Sequence, residues 1–254
     1  MSALLRALSA ESLKMRGTLA LWMCLIAPAT VVALYVLQIS FSRFGQRTGA
    51  PDPAAAWFMF AQSILVLWFF LMLPLFVTLQ SALLAGLEHG ERQWKHLLAL
   101  PAPRAVHYLA KLLMLVGMVL AAFLVLVALI PAGGLILMLV KPALGLAGWP
   151  DWGWLLGRAA SGFAACLLII ALQTWVAIRW RSFTVAVSVG MSATVVGFLV
   201  GQSERFGHWY PWSMPMQVLA SEGRHLGFVL WAGVAGGLLV AAAGLADFLR
   251  REFS

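Results

Sequence analysis

The sequence predicts an all-helical integral membrane protein with six transmembrane helices, and three observations carry that prediction. Of 254 residues, 63% are hydrophobic and only 10% are charged, against about 25% charged in a soluble domain. Six stretches hold no Asp, Glu, Lys or Arg at all: 17–42, 53–87, 112–140, 159–178, 182–203 and 225–246. Each reaches the roughly 17–25 residues that an apolar helix needs to cross the hydrocarbon core. Runs such as Ser63 to Phe70 (SILVLWFF) also lack the alternation of a transmembrane strand. The expected spans are about 19–41, 57–85, 109–139, 156–178, 183–202 and 226–246.

Residues 1–17 precede the first span. Leu4, Leu5, Leu8, Ser12 and Met15 fall near one helical face, with Arg6, Glu11 and Lys14 elsewhere around the wheel. This suits an interfacial helix that lies on the membrane until Gly17 turns the chain inward. The first span reads as retained rather than cleaved, because its apolar core continues to Phe41 without a small-residue processing site. Cys24 and Cys166 both lie within spans, where they pack as small apolar residues.

Lys and Arg counts orient the chain. With the N-terminus inside, one face collects eleven basic residues and the other six, so the positive-inside rule places both termini in the cytoplasm. This retention signal and contact with anionic headgroups account for the formal net charge of +8. Nucleic acid is not an expected partner. Outer links are short, which leaves no external domain to capture a ligand.

Chemistry of its own is hard to find in this chain. None of His89, His96, His107, His208 and His225 lies in a charge-free span with a partner at zinc spacing, and the serines of the spans have no histidine to activate them. None of the four lysines follows glycine and precedes Ser or Thr, so there is no phosphate-cradling loop. With no Asp, Glu, Lys or Arg inside the charge-free stretches and His225 only at the edge of the last, nothing is placed to couple an ion gradient, and uphill transport would need an external motor.

The cytoplasmic link between spans two and three has the build of a handle for such a motor. Trp94, Leu97 and Leu98 give a short apolar helical face, Glu91, Arg92 and Lys95 point largely away from it, and Pro101 stops the helix. Glu88 and Glu91 suit a basic groove on a protein better than an anionic leaflet. Within the spans, Gln62, Thr78, Gln80, Gln173, Thr174 and Ser192 must hydrogen-bond something other than lipid; Gln62, Thr78, Gln80 and Gln173 are candidates for a translocation path, with helix packing as the alternative. Pro28, Pro74 and Pro131 can kink their helices. The Trp-dense stretches Trp149 to Trp154 and Trp209 to Trp212 read first as interfacial anchors and second as an aromatic vestibule.

Glu91-Arg-Gln-Trp-Lys95, then Leu97-Leu98-Ala-Leu100-Pro101, then Arg104 and Tyr108-Leu-Ala-Lys111, resembles the cytoplasmic loop of ABC type-2 transporter permeases, especially the lantibiotic and bacitracin self-protection subfamily. The opening Glu11-Ser-Leu13-Lys14-Met-Arg16 and the outer Tyr210-Pro211-Trp212-Ser213-Met214-Pro215 are similar to segments of the same family. The resemblance implies one permease domain over 1–254, in a bacterial cytoplasmic (inner) membrane, that pairs with an identical or related second permease. ABC ATPase subunits would bind ATP and Mg, with no cofactor in this chain. It further implies that Glu88 to Leu100 is the coupling helix, that residues 2–16 form the connecting helix, and that 202–226 includes short re-entrant helices over the outer exit. The function so implied is export of a hydrophobic or amphipathic compound, an antimicrobial peptide among them, with a role in antibiotic resistance. A non-transporting membrane scaffold or sensor is the alternative.

Overall fold

The computed structural model describes residues 3–42, 52–90, 103–180, 182–220 and 225–250, with only the backbone of 87–90. Helix α1 (Ala3–Met15) leads into α2 (Leu19–Phe41) through Gly17, whose φ of +76° only glycine adopts without cost. Next come α3 (Pro53–Leu67), a π-helical turn over Trp68–Met72 and α4 (Leu73–Gly90), which together make the second span. The third span is α5 (Arg104–Val140) and the fourth α6 (Trp152–Arg179). After α7 (Phe183–Gly201) comes the short α8 (Met214–Gln217). The last span is α9 (Leu226–Trp231), a second π-helical turn over Ala232–Gly236 and α10 (Gly237–Arg250). Six helices are long and apolar enough to cross a membrane, and no strand occurs among the described residues.

Pro28 and Pro131 lie inside continuous helices. Pro74, which has no N–H to give, follows directly on the π turn, where the Leu73 N–H reaches back five residues to the Trp68 carbonyl. The wider turn resets the hydrogen-bond register ahead of the missing donor. The second π turn sits in the glycine-containing run Ala232-Gly-Val-Ala-Gly236.

Successive spans run in opposite directions, so α1, the ends flanking residues 91–102 and the tail of α10 share one end of the bundle, hereafter the near end. The core is built around α5 and α6. Helix α2 packs along α5, α10 along α6, and α7 against α4 and α6. Burial is uneven: the second span buries 56% of its most apolar stretch, the fifth 22% and the sixth 17%. Val195, Leu199, Trp231, Leu238 and Leu239 face outward, as lipid or a second membrane protein permits.

The amphipathic reading of α1 needs one correction. Its buried residues are Glu11 and Met15, while Leu5 and Leu13 are exposed. Glu11 turns inward because a lysine on α5 waits there.

Candidate functional site

At the near end, α1 is joined to the bundle by buried charge. Lys111, two turns into α5, is 3% exposed, and its Nζ lies 3.5 Å from Glu11 Oε2. The same ammonium donates to the Leu84 carbonyl on α4 at 3.1 Å, and Lys14 Nζ stands 3.0 Å from Glu11 Oε1. Burial alone would raise the Glu11 carboxyl, but the Lys111 and Lys14 charges outweigh it and hold the group below the usual glutamate range. Leu84 precedes the end of α4 and Lys111 follows the start of α5, so one ammonium pins both sides of the neck from which residues 91–102 leave. A cavity of about 10 Å³, enough for about one water, lies beside it, lined by Ser81, Lys111 and Thr174 among others.

A second node ties α10 to the same end. Trp175 Nε1 donates to Asp247 Oδ2 at 3.0 Å, and Arg179 Nε lies 3.8 Å from that oxygen. Tyr108 packs its ring, tilted, 5.9 Å from that of Phe248, and a Cβ on Gly244 would lie 2.2 Å from its hydroxyl. These contacts connect α5, α6 and α10.

Of the candidate path residues, Thr78 and Gln173 are brought together and the other two are not. Both are buried where α4 and α6 meet α7, and a Cβ on Gly190 would lie 2.2 Å from Thr78 Oγ1 and 2.7 Å from Gln173 Nε2. Gln173 Nε2 donates to the Ala186 carbonyl at 2.8 Å, whereas Gln173 Oε1 and Thr78 Oγ1 have no hydrogen-bond partner among the described residues. Neither side chain's acceptor is answered by a described protein group, a costly arrangement in an apolar interior. Gln80 points instead to α2, donating to the Ala20 carbonyl at 2.7 Å. Gln62 is half-buried on α3, about 24 Å of helix away from Thr78. Thr174 and Ser192 differ again: Thr174 bonds back to Ile170 within its own helix, and Ser192 is exposed.

Of the expected coupling residues, only Glu88 is among the described ones, and by its backbone alone. Glu88 belongs to the last turn of α4; Glu91, Arg92, Trp94, Lys95, Leu97, Leu98 and Pro101 lie outside the described residues. The sequence reading named their link and missed its anchor. Lys111 borders a charge-free run, where basic residues are ordinary retention signals, and Glu11 is one acid on a short helix. The available signal was their occurrence in two motifs of one family resemblance.

At the far end residues 202–220, which follow α7, fold back onto the bundle. Tyr210 Oη donates to the Ala193 carbonyl at 3.0 Å, Arg158 Nη1 donates to the Val218 carbonyl at 2.6 Å, and α8 packs on α6 and the π turn of the second span. Burial raises the Tyr210 hydroxyl above its ordinary pKa. Lys141 closes the far end of α2, donating to the carbonyls of Ile39 and Ser42. Between the starts of α3 and α6 opens a cavity of about 510 Å³ lined by Trp57, Phe58, Trp149, Asp151 and Trp154 among others.

Residues 7–199 match the family of ABC-2 family transporter proteins. No curated protein and no solved structure matches the chain. The match covers most of the chain, which therefore belongs to the ABC-2 transporter family as a multi-pass membrane permease. Permeases of this family lack the ATPase domain, so this chain holds no cofactor and an ATPase partner is implied.

Proposed function

We propose that this permease is one membrane half of an exporter that moves a hydrophobic or amphipathic compound across or out of the bacterial cytoplasmic membrane, with both termini inside. The lantibiotic and bacitracin self-protection subfamily supplies the nearest cargo class, an antimicrobial peptide. A second permease, identical or related, completes the conduit, and two ATPase subunits seat on Glu88 to Leu100.

One observation supports this most: the neck of that link is fixed by a buried cation shared between α4, α5 and α1. Charge-assisted bonds of this kind hold a geometry. A push on the link then travels into spans two and three as a rigid displacement. Beyond the neck, α4 meets α6 and α7 at the Thr78–Gln173 seam, whose unanswered acceptors favour a helix contact with two arrangements over a permanently locked one.

The test is the double variant Glu91→Ala, Trp94→Ala in the complex purified with its ATPase. Cargo-stimulated hydrolysis and export should fall about tenfold or more, as loss of an interface anchor does, while the chain stays in the membrane. Full motor binding and transport by that variant would overturn the coupling assignment. Failure of any Walker-type ATPase to co-purify with the wild-type chain would favour the scaffold reading instead.

A further inference from the structure

The far-end cavity is built rather than incidental. Trp57 forms its floor, 2% exposed, with Nε1–H donating to the Ala147 carbonyl at 3.1 Å. Gly134 on α5 makes room for that ring, since a Cβ there would stand 2.1 Å from it. On one side Phe58 and Trp154 pack with ring centroids 4.9 Å apart; Trp149 lies 63% exposed on the rim. Helices α3 and α6 and the chain joining α5 to α6 therefore line a hollow of about 510 Å³, within the range that takes a drug-sized molecule.

Its chemistry is one-sided. Among the described residues of the lining, Asp151 is the one ionisable side chain and none is basic. One carboxylate oxygen accepts the Trp154 N–H at 3.1 Å as the N-cap of α6, and the other has no hydrogen bond among the described residues. Aromatic faces attract cations through their quadrupole, and a carboxylate adds a full charge of the same preference. Among the described lining residues, no side chain carries a positive charge to answer an anion.

We propose that this cavity binds a lipophilic organic cation, its apolar body against Trp57, Phe58 and Leu155 and its charge between Trp149, Trp154 and Asp151. This names a substrate class for the exporter reading and rests on it for purpose, not for binding. Two sources share the chemistry: an amphipathic cargo with a basic or quaternary group, and a choline lipid headgroup.

The full chain in phosphatidylglycerol nanodiscs is dialysed against tetraphenylphosphonium, with empty nanodiscs subtracted, and against tetraphenylborate, which has the same shape and opposite charge. Saturable binding of about one cation per chain is expected, as for a single formed pocket, with none of the anion. Asp151→Asn keeps an N-cap and removes the charge, so affinity should fall roughly tenfold at unchanged melting temperature. Trp149→Ala, at an exposed position, should weaken binding to a smaller extent. Equal uptake of the borate, or undiminished binding by both variants, would overturn the proposal. Phosphatidylcholine in the nanodisc displaces the cation if headgroups fill the site and leaves it bound if a cargo does; either result supports the site. Because no ATPase is present, failed binding leaves the exporter reading standing, whereas intact binding without cargo-stimulated hydrolysis in the complex would sink the exporter reading alone.

Discussion

The two ends of the bundle are held by different forces. At the near end, α1, α4 and α5 converge on an ammonium 3% exposed and a carboxylate 6% exposed; at the far end, α3, α5 and α6 meet through tryptophan rings and single bonds to backbone carbonyls. A buried ion pair tolerates little relative movement, because separation leaves two desolvated charges unanswered. Aromatic packing is cheaper to rearrange. A motor needs to push on something stiff, and a cargo needs somewhere that can adapt, so the distribution of forces follows the proposed direction of work.

The sharpest way to break this contrast is Lys111→Met. Removing the cation leaves Glu11 buried beside Lys14 alone, and the cost should be about 3 kcal/mol, near the lower limit for breaking a buried pair. Thermal unfolding in detergent checks it, and adding Glu11→Gln should recover much of the loss. If Lys111→Met melts like the wild type, the near end is not held by charge.

A smaller effect belongs to the far end. Gly134→Ala drives a Cβ into the Trp57 ring, an overpacking worth about 1–3 kcal/mol. Combining it with Trp57→Leu should relieve the clash, and the cavity should lose its cation affinity with its floor. Undiminished tetraphenylphosphonium binding by that pair would show that Trp57 does not form the floor.

The mildest expectation concerns pH. Glu11 has a lowered pKa in the folded chain, so its contribution is complete above the ordinary value of 4.5 and is lost as pH falls through the lowered one. The share of stability that Glu11 supplies should therefore be flat from neutral down to the ordinary value and decline only in more acid solution. Glu11→Gln should remove the part of the acid decline that this carboxylate causes. A fall already visible between pH 7 and 5, absent from Glu11→Gln, would mean that the lysines do not outweigh burial.

Much of the architecture was legible because lipid enforces a length and a composition: charge-free runs of 20 residues or more leave a chain few other conformations. The Trp149 to Trp154 stretch was readable as an aromatic cluster for the same reason, through its density at a span boundary. The cavity it helps to form was not, because Trp57 and Gly134 come from distant parts of the chain. The Gln80 bond to Ala20 and the meeting of Thr78 with Gln173 were equally hidden. Polar residues in spans all carry the same sequence signal, whichever neighbour answers them.

By itself, then, the sequence determined that the chain crosses a membrane six times, works without fuel of its own and offers a link between spans two and three. Hydrophobicity and motif spacing are properties of neighbours along the chain, and they suffice for that. Only the tertiary structure decided that Glu11 faces inward onto Lys111, that one ammonium clamps the neck of the link, and that a single carboxylate shares a hollow with four aromatic rings. Those facts depend on which helix faces meet, and with lipid as apolar as the side chains it surrounds, that choice falls to close packing and a few polar contacts between residues far apart in the chain.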